Sequence, residues 1–249
     1  MEPVSVRYCT DGPFEGPAVL IEGLPGIGQV GKVVVDHILH ELPAEKVAEI
    51  HSSYFPPQVV IGQDGTCRLV NNEVWRHRTV SMTYYFLVGD CQSLSPEGHY
   101  ALTERYLDCA ERFGVTRIYT LGGYGVGRLV DAPRVLSAVT HPHLRPAVEE
   151  AGGVFERDEP GGGIIGAAGM LLGLGALRGF EGVCLMGETS GYLVDPKSAH
   201  VLLQVLCRLT GLEINPDRLQ DRALDMEQVL EQVRQSERVR QNDELSYIG

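Results

Sequence analysis

Two hydrophobic periods alternate along the chain. Residues 18–23 (AVLIEG) form a short, mainly apolar run closed by glycine and proline. In the following 28–42, Val30, Val33, Val34, Ile38 and Leu42 recur at helical spacing and stop at Pro43. That pattern predicts strand, glycine turn, helix. A further strand is predicted over 47–51. From 54 to 89 the runs QVVIG, CRLVN, EVWRHRT and VSMTYYFLVG are β-rich and punctuated by Pro56-Pro57, Asp64-Gly65 and Asn71-Asn72, so hairpins are expected between about 58 and 80.

Beyond that point strands and helices alternate again. Ser95 with Pro96 behind it opens an amphipathic helix, 116–123 reads as a strand ending in glycines, and 141–153 holds a short helix. Residues 164–179 form an apolar helix with small side chains, 182–188 a buried strand, and Asp195-Pro196 caps a helix through 210. The expected class is α/β: a mainly parallel sheet with helices on both faces, hence three layers α/β/α. Residues 1–211 make up this core. From 212 to 249 an acidic helical extension follows, in which Leu219, Ala223, Met226, Leu230 and Val233 step by 4, 3, 4, 3. That seam suits either pairing with another helix or lying back on the core.

Composition narrows the function. A formal charge of −12, with only three lysines beside eighteen arginines, argues against nucleic-acid or anionic-membrane partners, which need clustered basic residues. The six cysteines form no C-x-x-C pair and the amino terminus has no basic or apolar leader pattern, so a reduced, cytoplasmic protein is expected. No run reaches the ~20 apolar residues a membrane helix needs. Glycine, 30 of 249, is well above ordinary usage, so tight turns and close backbone approaches are expected.

The glycines carry the candidate chemistry. Gly26, Gly28 and Gly31 match G-x-G-x-x-G between a strand and a helix, the context in which backbone amides cradle phosphate. Lys32 extends the match toward a phosphate loop, but Val33 stands where a Ser or Thr would hold magnesium. The other reading of this turn is close packing of helix on strand. A second cluster, including Gly123 and Gly125, and a third at 161–163 follow other strands, and three such loops can line one crevice. Glu22, Asp90 and Glu188 sit at strand ends, either facing that crevice as ligand, acid or base, or capping turns. No catalytic set, metal-ligand set or cofactor emerges. His37 and His40 lack a third ligand, and the serine of GETSG is displaced by one from a nucleophile elbow.

The run VLIEGLPGIGQVGKVVVDHIL, the later TLGGYGVG, and IIGAAGMLLGLGALRGFEGVCLMGETSGYLVDPKSAHVLLQVL resemble, in order, the proteasome assembly chaperone family in its archaeal form. The resemblance spans about Ala18 to Leu209. It implies a three-layer α/β/α domain related to nucleoside phosphorylases, a homo-oligomer, and a role in assembling or capping the core proteasome through its α subunits. Members of the family dock by a terminal hydrophobic-Tyr-any tripeptide. Here the end is Leu245-Ser246-Tyr247-Ile248-Gly249, with the tyrosine one place early.

An enzymatic alternative also follows from the resemblance, since relatives have been labelled ATP-grasp-like. A nucleotide- or phosphate-binding enzyme of that kind, or a nucleoside phosphorylase, would use the same loops. However, Lys32, Lys46 and Lys197 form no convincing pair for phosphates, and Arg128 is the one arginine following the second glycine cluster closely.

Overall fold

The computed structural model describes residues 2–10, 16–156 and 163–221. In chain order the strands and helices are β1 (Val4–Tyr8), β2 (Ala18–Glu22), α1 (Val30–Glu41), β3 (Glu45–Ser52), β4 (Val59–Ile61), β5 (Cys67–Leu69), β6 (Asn72–Arg78) and β7 (Thr83–Gly89). They continue as α2 (Pro96–Arg112), β8 (Val115–Gly125), β9 (Val135–Val139), α3 (Arg145–Glu150), β10 (Gly153–Val154), α4 (Gly166–Leu177), β11 (Glu181–Thr189) and α5 (Pro196–Thr210).

Among the described residues nine strands form one sheet in the order β1-β3-β6-β7-β2-β8-β11-β9-β10. The central strands β7, β2, β8 and β11 are parallel, as expected. The wings are not: β6, β3 and β1 on one side and β9 on the other run antiparallel to their inner neighbours, while β10 follows β9 in parallel. For β6 the reason is connection length. The link between β6 and β7 is four residues, in which the Thr79 hydroxyl accepts from Met82 N–H at 3.0 Å, and so tight a return permits only antiparallel pairing.

Strand alternation divides the interior in two. Val19 and Ile21 of β2 face the side covered by α1 and α5, where Val34, Val35, Ile38, Leu202 and Leu206 are buried. Ala18 and Leu20 face the opposite side, under Leu102, Tyr106 and Leu107 of α2 and Ala167 and Leu171 of α4. Three layers result. The caps fall where the sequence puts them: the Ser95 hydroxyl accepts from Gly98 N–H at 3.1 Å and the Asp195 carboxylate from Ser198 N–H at 2.9 Å.

Three strands, β1, β9 and the two-residue β10, lie outside the sequence reading. β1 is a sheet edge whose signal is the alternation of Val4, Val6 and Tyr8; β9 (VLSAV) inserts between β11 and β10. A separate ribbon of β4 and β5 pairs Val59 with Leu69 and Ile61 with Cys67, all exposed, while Val60 packs on the core. The chain leaves α5 through Gly211, at φ 71°, and Leu212 and Leu219 are buried in the cluster between α1, α5 and the sheet. The seam positions Ala223, Met226, Leu230 and Val233 and the terminal Leu245, Tyr247, Ile248 and Gly249 lie outside the described residues. Among the described residues no helix is long and apolar enough to cross a membrane.

Candidate functional site at the glycine-loop edge

The carboxyl ends of the central strands bring several of the expected glycines together, and protein atoms fill the space beside them. A Cβ on Gly31 would meet the Leu121 carbonyl oxygen at 2.3 Å, and one on Gly28 the Thr189 hydroxyl at 2.8 Å. Gly123 faces the Ile27 carbonyl oxygen, which a Cβ would approach to 2.2 Å. Gly28 also has φ 61°, where a side chain is strained; Gln29, at φ 53°, follows it in the same region. The Gly28 carbonyl accepts from Asp195 N–H at 3.0 Å, tying the first loop to the start of α5. Gly26, by contrast, has only distant neighbours, and Gly125 makes an ordinary contact with the Ile27 side chain.

At three helix starts on this edge a side-chain oxygen takes up one amide each. Beyond the caps of α2 and α5, the Gln92 carbonyl oxygen accepts from Ala167 N–H at 2.9 Å in the first turn of α4, and its amide group donates to the Pro25 carbonyl at 2.7 Å. Gln92 thus joins the β2–α1 loop to α4. α1 begins without a side-chain cap. Lys32 is committed to Asp36, one turn on, at 2.9 Å.

The three strand-end carboxylates have different environments. Glu22 is 1% exposed; its Oε1 accepts from Leu24 N–H at 2.9 Å and its Oε2 has no hydrogen-bond partner among the described residues. Burial pushes its carboxyl up to about 8, against the pull of the Leu24 and Leu121 backbone. Register places it beside Thr120 and then Cys184 across three parallel strands. Glu188 is gripped by the Arg134 guanidinium through Nε, at 3.0 Å, and Nη2, and by the Arg134 backbone N–H; this hydrogen bonding holds it below the usual carboxylate value. Burial by itself would raise Asp90, but Arg68, bidentate at 2.6 and 2.9 Å, and the Asn71 N–H more than offset that and lower it. One carboxylate is sealed and two are paired with arginines.

This edge also presents several apolar side chains to solvent. Ile27, Leu94, Ile165, Tyr192, Leu193 and Val194 are exposed on the loops that follow β2, β7 and β11 and precede α4; Ile165 is 81% and Tyr192 80% exposed. The sequence carried one readable sign of this, the triplet Tyr192-Leu193-Val194 inside a loop just before a helix cap. Gln92 and Arg134 had none, since neither belongs to a motif. A groove of about 590 Å³ lies between β1 and α2, lined among others by Pro3, Tyr54, Ala101, Glu104 and Asp108; no predicted site residue borders it.

The PAC2 family model matches residues 20–234, which includes the end of β2 and every strand after it and runs past α5. The chain belongs to the PAC2 family. The uncharacterized protein MJ1210 of Methanocaldococcus jannaschii is 42% identical over 225 residues, 90% of this chain and 86% of that one. The crystal structure of Pyrococcus furiosus PbaB, an archaeal proteasome activator, superposes with a TM-score of 0.88 at 36% identity, covering 94% of this chain and all of that one. Pyrococcus furiosus PbaA, a homolog of proteasome-assembly chaperone, shares the PAC2 fold with a TM-score of 0.76 at 23% identity, over 99% and 98% of the two chains. The resemblance to the proteasome assembly chaperone family seen in the motifs is thereby established for this PAC2 chain.

Proposed function

We propose that this protein is a non-enzymatic, cytoplasmic homo-oligomer that binds proteasome α subunits and assists assembly or capping of the core particle. Family membership and the proteasome activator at 36% identity support the reading. The observation that carries it is the glycine-loop edge: where α/β enzymes take their ligands, Gly28, Gly31 and Gly123 are packed by the chain's own atoms while several apolar side chains project outward. Several copies in one oligomer raise the effective concentration of each further contact, a gain of up to ~10² to 10⁴ in avidity.

Capture of purified α subunits by the full chain and by a chain stopped after Asp221 tests it. Retention by the full chain supports the role; equal retention by both assigns binding to the body and discards the terminal Leu245 to Gly249 as the docking element. Capture by neither sinks the reading. The alternative, a nucleotide- or phosphate-binding enzyme of nucleoside phosphorylase-like or ATP-grasp-like kind, has the uncapped start of α1 behind G-x-G-x-x-G in its favour.

A further inference from the structure

We infer that His37 is the positioning residue of the segment that follows α5: it fixes where residues 212–221 lie on the α1/α5 face. The inference deepens the function proposed above and rests on it only for the partner. His37 is 5% exposed, on the inner side of α1, and its Nε2 lies 2.8 Å from the Asn215 carbonyl oxygen. A carbonyl can only accept, so Nε2 carries the proton and donates. Asn215 is bound at both ends, because its side-chain oxygen accepts from Asp217 N–H at 2.9 Å and so starts the turn that follows. In that turn the Pro216 carbonyl accepts from Leu219 and Gln220 N–H at 3.0 and 3.1 Å.

Apolar and ionic contacts flank this hydrogen bond on both sides. Leu212 and Leu219, 4% and 0% exposed, enter the α1/α5 cluster before and after Asn215. Tyr84 O–H donates to the Thr210 carbonyl at 2.9 Å, and Arg218 meets Glu41, at the last turn of α1, at 3.0 Å. A buried histidine that a sequence reading leaves without a ligand therefore has one: the backbone of the segment after α5. Leu219 is also the first position of the 4, 3, 4, 3 apolar spacing, and the family match continues to residue 234, so residues 212–221 lie within what the family model covers.

Backbone amide exchange measured by mass spectrometry on the full chain tests this, with His37→Phe, which keeps the ring volume but cannot donate, His37→Gln, which keeps a donor, and Asn215→Gly at the exposed position. His37→Phe is expected to speed exchange over 212–221 by about ten-fold while β7 and α5 remain protected, with His37→Gln restoring most of the protection. Asn215→Gly is expected to act on 215–221 alone. Unchanged exchange at 212–221 in His37→Phe overturns the inference, as does a rise spread evenly over the body. Should His37→Phe fail to fold, His37→Leu, which also cannot donate to the Asn215 carbonyl, decides in its place. In the α-subunit capture, His37→Phe is expected to retain less than the unaltered chain; equal retention with fast exchange would remove the positioning role. If the unaltered chain captures nothing, the function proposed above fails while exchange still decides the anchor.

Discussion

The α-carbon of Gly31 lies against the carbonyl oxygen of Leu121, so that the first turn of α1 rests directly on the backbone of β8. A methyl group there would stand 2.3 Å from a backbone atom that cannot rotate away. Gly31→Ala is therefore expected to destabilise the fold by about 1–3 kcal/mol, and the elements must part to accommodate it. Gly173, exposed within α4 and with nothing within 4 Å of its missing Cβ, is the control: Gly173→Ala should stabilise by about 0.5–1 kcal/mol. Urea unfolding of both variants checks the pair, and the expected result is opposite signs.

Glu22 gives the protein a stability that falls with rising pH. Its buried carboxyl holds its proton up to about 8, whereas the unfolded chain releases it near 4.5. Between those values the folded state binds the extra proton, so stability drops by up to about 1.4 kcal/mol per pH unit and levels off above them. Glu22→Gln should flatten that stretch of the profile and be the more stable form at pH 9. Denaturation midpoints from pH 5 to 9 provide the measurement, and parallel profiles would refute it.

The Glu188–Arg134 pair acts in the opposite direction. Arg134 lowers the Glu188 carboxyl, so its contribution is full above the ordinary carboxylate range and is lost as pH falls through the lowered value. Arg134→Ala strands a nearly buried carboxylate and is expected to cost about 1–2 kcal/mol at neutral pH, the half-exposed guanidinium being partly screened by water. Glu188→Gln should weaken the acid-side loss without abolishing any turnover; a metabolite whose conversion disappears in that variant would make Glu188 catalytic.

Nucleotides, nucleosides and phosphate are expected to leave the melting temperature unchanged, because Thr189, Ile27 and Gln92 occupy the surfaces a phosphate would need. A ligand at ~100 times its dissociation constant would stabilise by about 2.7 kcal/mol, which a thermal shift detects readily. A shift that Gly28→Val removes would place a ligand at the first loop and restore the enzymatic reading.

Tyr192 and Ile165 contribute exposed apolar surface and little to the fold. The double variant Tyr192→Asp, Ile165→Asp is expected to keep the melting temperature within about 1 kcal/mol of stability while lowering α-subunit capture or self-association several-fold. Unaltered capture together with an unaltered molar mass by light scattering would show that this edge takes no partner.

Much of the architecture was legible because it is local. Short runs closed by glycine located β2 and β8, a buried run located β11, the 3.6 period located α1, α2 and α5, and Ser95 and Asp195 capped their helices as their side-chain chemistry requires. The order of motifs was enough to give the family. The glycine loops were visible too, but one pattern serves two purposes: G-x-G-x-x-G permits a close approach without saying whether a phosphate or another part of the chain makes it. Only the tertiary structure decided that, by setting Leu121, Thr189 and Ile27 against Gly31, Gly28 and Gly123. The same holds for Glu22, Asp90 and Glu188, alike in sequence as strand-end acids. One became a sealed, proton-holding carboxyl and two became ion pairs with Arg68 and Arg134, because burial and charge partners are fixed by distant segments meeting in space, and no sequence period encodes those meetings.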